Sequence, residues 1–212
     1  MIEALLKQTS EWLKGTGPNS DIVMSSRIRL ARNLRPYPFS HWASKKQERE
    51  CLKVVHEAIL KSKNLKSSLF IFMNDLADLD KQFLLERHLI SREHILHPEF
   101  KAVDVSDREI ASIMVNEEDH LRIQVMQSGF NLQEGWRIAD RLEDELAETL
   151  PFAFDSKWGY LTACPTNTGT GLRASVMLHL PALVMTKQIS RVVQAITKLG
   201  MVVRGLYGEG TD

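Results

Sequence analysis

Residues 109–127, EIASIMVNEEDHLRIQVMQ, decide the fold. Two β-rich runs, EIASIMV and LRIQVMQ, are separated only by NEEDH, which is far too short for the crossover that two parallel strands require. They must pair antiparallel, at least in part of the sheet. Other β-rich stretches are DIVMSSRIRL, SLFIFMN, GYLTAC, LRASVML and MVVRGLY. Helical patterns alternate with them. Residues 44–62 begin with Ser44 and Gln47 at capping-box spacing and carry Leu52, Val55 and Ile59 on one face. Residues 131–149 carry Asn131 and Glu134 as caps and a stripe of Leu132, Trp136, Ala139, Leu142 and Leu146. Pro181 opens a third helix, which carries Val184, Val192, Val193, Ile196 and Leu199 and stops at Gly200. Weaker helices are expected near 2–14 and 75–88. The expected class is α+β, a largely antiparallel β-sheet flanked by helices.

The 212 residues, 43% hydrophobic, suffice for one sizeable core, and one domain is expected. Lys plus Arg and Asp plus Glu are both 27, so the net charge is zero. No overall field draws the chain to nucleic acid or an anionic membrane, and any anion affinity must be local. The N-terminus lacks a signal-peptide pattern, and no stretch approaches the roughly 18 to 20 apolar residues that span a bilayer. A cytoplasmic protein is expected. Cys51 and Cys164 cannot build a disulfide framework, and neither has histidines at zinc-finger spacing.

The chemistry lies in how arginines fall on the strands. In SSRIRLARN, alternation places Ser25, Arg27 and Arg29 on one face and Ile28 and Leu30 on the other. Like charges about 7 Å apart on one strand face demand a counter-charge. Arg122, Arg173 and Arg204 also sit in or beside apolar runs. Planar forked donors at five such positions suggest a cradle for a polyphosphate. A second group is acidic: Glu117, Glu118 and Asp119 in one connection, and Glu209 in GEG. Paired carboxylates suit a cationic, guanidinium-bearing substrate, which needs a well-placed base before it can act as a nucleophile. Solvent-exposed acidic turns are the plainer alternative. Cys164 opens CPTNTGTGLRAS, a run of turn-formers whose backbone N–H groups are free to face a ligand. There it is either an inert half-buried thiol or one that contacts a cation.

Taken in order, SSRIRLARN, the histidine of ERHLIS, VNEEDHLR, CPTNTGTGLRAS and RGLYGEG resemble the catalytic domain of phosphagen (guanidino) kinases, and among these the bacterial protein-arginine kinases. The resemblance covers nearly all of the chain from Asp21 onward. It divides the chain into an N-terminal helical segment, 1–20, and a catalytic domain, 21–212, incomplete at its C-terminus. It implies transfer of the γ-phosphoryl group of ATP, with Mg²⁺ held mainly through the phosphates, onto the guanidinium of arginine residues in proteins. It implies catalytic roles for Glu118 and Glu209, which hold and deprotonate the guanidinium, for Cys164 against it, and for Arg122, Arg173 and Arg204 at the phosphates. It implies a nucleotide site lined by Ser25, Ser26, Arg27, Ile28, Arg29, His88, Arg122, Arg173, Ala174, Ser175, Val176, Met177, Arg204, Gly205, Leu206, Tyr207, Gly208 and Glu209. No protein-built metal cage is expected. Only about twenty residues precede the SSRIR strand, where kinases of free arginine or creatine have a helical domain that closes over the small substrate. That favours arginine displayed on a protein. The alternatives are an inactive nucleotide- or phosphoarginine-binding module and a kinase of free arginine. As partners the resemblance implies a stress-response repressor, an activating adaptor and an AAA+ unfoldase.

Overall fold

The structure, a computed structural model, describes residues 2–205. Its main sheet contains β1 (Val23–Arg32), β2 (Leu69–Phe72), β3 (Ala102–Val105), β4 (Ala111–Val115) and β5 (Leu121–Ser128). Two short strands, β6 (Phe154–Asp155) and β7 (Gly159–Tyr160), form a separate pair, and β8 (Leu172–Leu178) returns to the main sheet. The order is β2-β3-β4-β5-β1-β8, and every pairing is antiparallel. The helices are α1 (Glu3–Leu6), α2 (Lys45–Lys61), α3 (Asp78–Glu86), α4 (Arg92–Ile95), α5 (Leu132–Ala147), α6 (Pro181–Met185) and α7 (Ile189–Lys198).

Alternation gives each strand two destinations. Ile28 and Leu30 of β1, Ile113 and Val115 of β4, and Ile123 and Val125 of β5 point to one face, where α2 supplies Leu52, Val55 and Ile59 and α5 supplies Ala139, Leu142 and Leu146. The other face is apolar only at the β2–β4 end. There Ile71, Val103, Val105 and Met114 are covered by Leu84 of α3, Leu89, Ile90, and Ile2 and Leu5 from the N-terminus. Beyond β4 that cover stops, and on the same face β5, β1 and β8 carry arginines.

The capping box forms as expected, with the Ser44 side chain accepting from Gln47 N–H and the Gln47 side chain accepting from Ser44 N–H. Four expectations need correction. Asn131 precedes α5 but makes no side-chain cap, because its φ of −135° and ψ of 46° turn it away from the helix start. The helix from Pro181 breaks into α6 and α7 at Lys187, whose φ is +58°. GYLTAC pairs as strand only over Gly159–Tyr160, because a hydrogen bond from Ala163 N–H to Asp119 and one between the Thr162 and Thr168 hydroxyls bend the rest into a loop. Residues 201–204 of MVVRGLY are not strand, and Leu206 and Tyr207 lie outside the described residues. Two strands, β3 and the two-residue β6, were not expected at all. The segment 1–20 does not stand apart: Ser10 and Trp12 are buried, and Ile2 and Leu5 belong to the second core.

Candidate active site

Register brings the arginines together. Residues directly opposite in an antiparallel pair share a face. Arg29 of β1 lies opposite Arg173 of β8, Arg27 lies opposite Ser175, and Ala31, two residues beyond Arg29, lies opposite Arg122 of β5. Arg27, Arg29, Arg122 and Arg173 therefore project from one face of three adjacent strands. Their neutralisation is unequal. Arg122 Nη1 donates to both oxygens of Glu117, at 2.8 and 2.9 Å. Among the described residues Arg173 reaches only the Asn167 side-chain oxygen, at 3.3 Å, and Arg27 only the Ser175 hydroxyl, at 3.4 Å. Among the described residues Arg29 has no carboxylate partner. Burial, then the charges of Arg122, Arg27, Arg173 and Arg204, pushes Arg29 down to about 8. Burial, then Arg122, Arg173 and Arg204, pushes Arg27 down to about 10. Packed cations with one carboxylate partner among four attract an anion.

The β4–β5 connection divides its three carboxylates by task. Glu117 accepts from Ser91 Oγ at 2.6 Å as well as from Arg122, and these donors hold its carboxyl well below the usual range although burial opposes them. Asp119 is buried and accepts from Asn33 Nδ2 at 2.6 Å and from Ala163 N–H at 2.7 Å. Only Glu118 is exposed. It borders a cleft with Arg29, Asp119, Arg122, Asn167 and Arg173. Burial and the charges of Asp119 and Glu117 raise its pKa, against the pull of Arg122 and Arg173.

The CPTN loop is fastened to this centre. The Asp119 bond to Ala163 N–H holds the residue before Cys164, and Cys164 Sγ contacts Thr166 Oγ1 at 3.0 Å. Gly171 closes the loop onto β1 with φ of +61°. A Cβ there would stand 2.6 Å from the Ala31 carbonyl oxygen, so only glycine fits. Buried Arg32 points to the opposite face. It donates to Glu143 at 3.0 Å and to the Thr170 carbonyl at 3.1 Å, and its guanidinium lies 3.5 Å from the Tyr160 ring centroid.

His88 stands beside Arg27, edge-on to Trp12 at 5.4 Å between ring centroids, and its carbonyl accepts from Gln124. Burial and the charge of Arg27 lower its pKa, favouring the neutral ring. Ser25 and Met177 share the arginine face, opposite one another. Arg204 is exposed and lies outside any strand, although its charge acts on Arg27 and Arg29. The structure does not bring every expected residue into the site. Ser26, Ile28, Ala174 and Val176 point to the opposite face: Ile28 is core, and Ser26 donates to the Gly129 carbonyl and accepts from Asn131 N–H. Alternation allows them only backbone contact with a ligand on the arginine face. Gly205 closes the described residues, and Leu206, Tyr207, Gly208 and Glu209 lie beyond them. Asn33 and Asn167 were not singled out from sequence, and Glu117 was grouped with Glu118 and Asp119 without a task of its own. The antiparallel hairpin that pairs Glu117 with Arg122 was the one available signal. Among the described residues no group of three or more His, Cys, Asp or Glu side chains is placed to hold a metal ion.

Residues 50–212 match the family described as ATP:guanido phosphotransferase, C-terminal catalytic domain, and the chain belongs to that family. Among curated relatives, the protein-arginine kinase of Symbiobacterium thermophilum is 52% identical over 99% of this chain and 60% of the relative. That of Halothermothrix orenii is 51% identical over 97% of this chain and 59% of the relative. The chain thus spans about 60% of the length of these relatives. Among solved structures, the duplicated taurocyamine kinase from Schistosoma mansoni with bound transition state analog components aligns at a TM-score of 0.82, with 26% identity over 93% of this chain and 29% of that one. Lombricine kinase aligns at 0.79, with 26% identity over 97% of this chain and 61% of that one. The phosphagen-kinase fold read from the sequence is borne out. No described helix is long and apolar enough to cross a membrane.

Proposed function

We propose that this chain carries the catalytic centre of an ATP-dependent kinase that phosphorylates arginine side chains of proteins. The observation that carries this reading is the face of four arginines, three without a carboxylate partner among the described residues, bordering the exposed carboxylate of Glu118. The identity of about 50% to protein-arginine kinases supports a protein-borne acceptor.

Magnesium bound with the nucleotide would offset phosphate charge, and with no metal-holding group of side chains among the described residues the protein's own contribution is its arginines. Arg27, Arg29, Arg122 and Arg173 take the phosphate oxygens, with Arg122 aimed by Glu117 and Arg173 steadied by Asn167. His88 borders the nucleotide at the Arg27 end. The acceptor guanidinium approaches from the Glu118 side, with Cys164 against it. A guanidinium does not surrender its proton in advance, so the N–P bond forms as the Pγ–O bond to ADP breaks, and the proton passes to Glu118. The raised pKa of Glu118 makes it a better base than an ordinary surface carboxylate. Glu209, outside the described residues, is the second carboxylate in this reading. On resemblance, a stress-response repressor, an activating adaptor and an AAA+ unfoldase are its partners in the cytoplasm.

The test incubates the full chain with Mg–ATP and an arginine-rich protein at neutral pH and maps phosphoarginine by mass spectrometry. Acid-labile phosphate on arginine is expected. Glu118→Gln is expected to lower turnover by about 10² or more while nucleotide still raises the melting temperature. Acid-stable label on the client, or undiminished turnover in Glu118→Gln, refutes the reading. Saturable ATP binding without turnover would mark a binding module instead, and transfer to free arginine alone would exclude a protein acceptor.

A further inference from the structure

A second concavity adjoins the acceptor side of the cleft. After Arg29, β1 continues through Ala31 and ends at Arg32, and the chain then runs through Asn33 to Tyr37 and Phe39. A cavity of about 320 Å³ opens there, lined among others by Asn33, Tyr37, Phe39, Trp42, Phe154 and Leu161. Its walls are rings. Phe39 lies 6.4 Å from Trp42 between centroids, and Phe154 meets Tyr160 edge-on at 5.2 Å. Trp42 is 74% exposed and Phe154 52%. Large rings left in water around a concavity mark a binding surface rather than a core.

Asn33 links this cavity to the cleft. Asn33 Nδ2 donates to Asp119 Oδ1 at 2.6 Å on the cleft side and to the Leu161 carbonyl at 3.0 Å on the cavity side. Asp119 borders the cleft with Glu118. The two concavities therefore adjoin at Asn33, which places the ring-lined cavity within reach of a residue flanking an arginine held at Glu118. The lining contains no carboxylate, and its one charged side chain, Arg35, disfavours a second basic residue there.

We propose that this cavity is a specificity subsite for an apolar side chain, aromatic or branched aliphatic, next to the target arginine of a protein substrate. This deepens the reading given above and rests on it.

The test uses the full chain, Mg–ATP and four peptides that differ only in the residue flanking a single arginine: Phe, Leu, Gly or Lys. Phosphoarginine formation is followed by mass spectrometry at neutral pH, and peptide binding by fluorescence polarisation. The Phe and Leu peptides are expected to show KM and Kd about tenfold below the Gly peptide, with Lys weakest. Trp42→Ala and, separately, Phe154→Ala are expected to bring the Phe-to-Gly ratio to within about twofold. Equal constants for all four peptides, or an unchanged ratio in both variants, overturns the subsite. So does a change in oligomeric state with the ratio preserved, which would assign the rings to a second copy of the chain. Flank discrimination in binding without arginine turnover would instead overturn the kinase reading and leave the subsite standing. Turnover without discrimination does the reverse.

Discussion

Replacing Arg29 by methionine should stabilise the nucleotide-free protein while weakening its hold on ATP. Arg29 is held near 8, far below the ordinary guanidinium value. At about 1.4 kcal/mol per pH unit, the full difference sets an upper bound of about 6 kcal/mol of unfavourable free energy in the folded state. The arginine face is open to water and salt, which brings the expected relief to about 2 kcal/mol. For a chain of this size that is a rise in Tm of about 4 to 8 °C at pH 7. The pH dependence identifies the cause. A base whose pKa is lower folded than unfolded destabilises the fold while it is charged, and that penalty fades as pH rises above the folded value. Between pH 7 and 9 the wild type should therefore gain at most about 1.4 kcal/mol on Arg29→Met, the limit for a folded value of about 8 without solvent screening, and the gap should narrow. Thermal melts of both proteins at the two pH values, with and without Mg–ATP, measure all of this. The reasoning fails if Arg29→Met is the less stable protein at pH 7 without nucleotide and the gap does not change with pH, or if ATP raises the Tm of both proteins equally.

Burial raises the Asp104 carboxyl to about 6, only partly offset by the hydrogen bond from Ser68, and its Oδ2 has no partner. Asp104→Asn should add about 1 to 3 kcal/mol in denaturant titrations at pH 7, and the gain should disappear as pH falls below about 4, where the acid is protonated folded and unfolded alike. Gly171→Ala forces a Cβ toward the Ala31 carbonyl at positive φ and should lower stability by more than 1 kcal/mol, read from the urea midpoint. Cys51 is 1% exposed and its thiol is pushed up to about 12. Alkylation of the native protein at neutral pH should therefore modify Cys164 alone, as seen by peptide mapping, with Cys51 reacting only after unfolding.

Much of this architecture is legible in the chain because alternation is a local rule. SSRIRLARN shows which residues of β1 face the core, and NEEDH shows that β4 and β5 form a hairpin. β3 escapes because AVDV is short and buries an aspartate, which its partner Ser68, 36 residues away in sequence, makes tolerable. The helix from Pro181 reads as continuous because its apolar period runs through Lys187, and the break there is a backbone event that periodicity does not register. At the site, a resemblance carried by contiguous segments sweeps in Ser26, Ile28, Ala174 and Val176, whose side chains point away. Glu117, Glu118 and Asp119 are indistinguishable as letters. Their separate tasks come from Arg122, Asn33 and Ala163, partners that only register and loop closure bring near.

Because β1 interleaves ligand-facing and core-facing side chains residue by residue, its reading frame cannot drift. One inserted or deleted residue ahead of Arg27 would turn guanidinium groups into the hydrocarbon beneath α5 and present Ile28 and Leu30 to the nucleotide. Length variation among descendants of this chain should therefore accumulate at the loop before α2 or the one after β2, and be purged from the ten residues of β1.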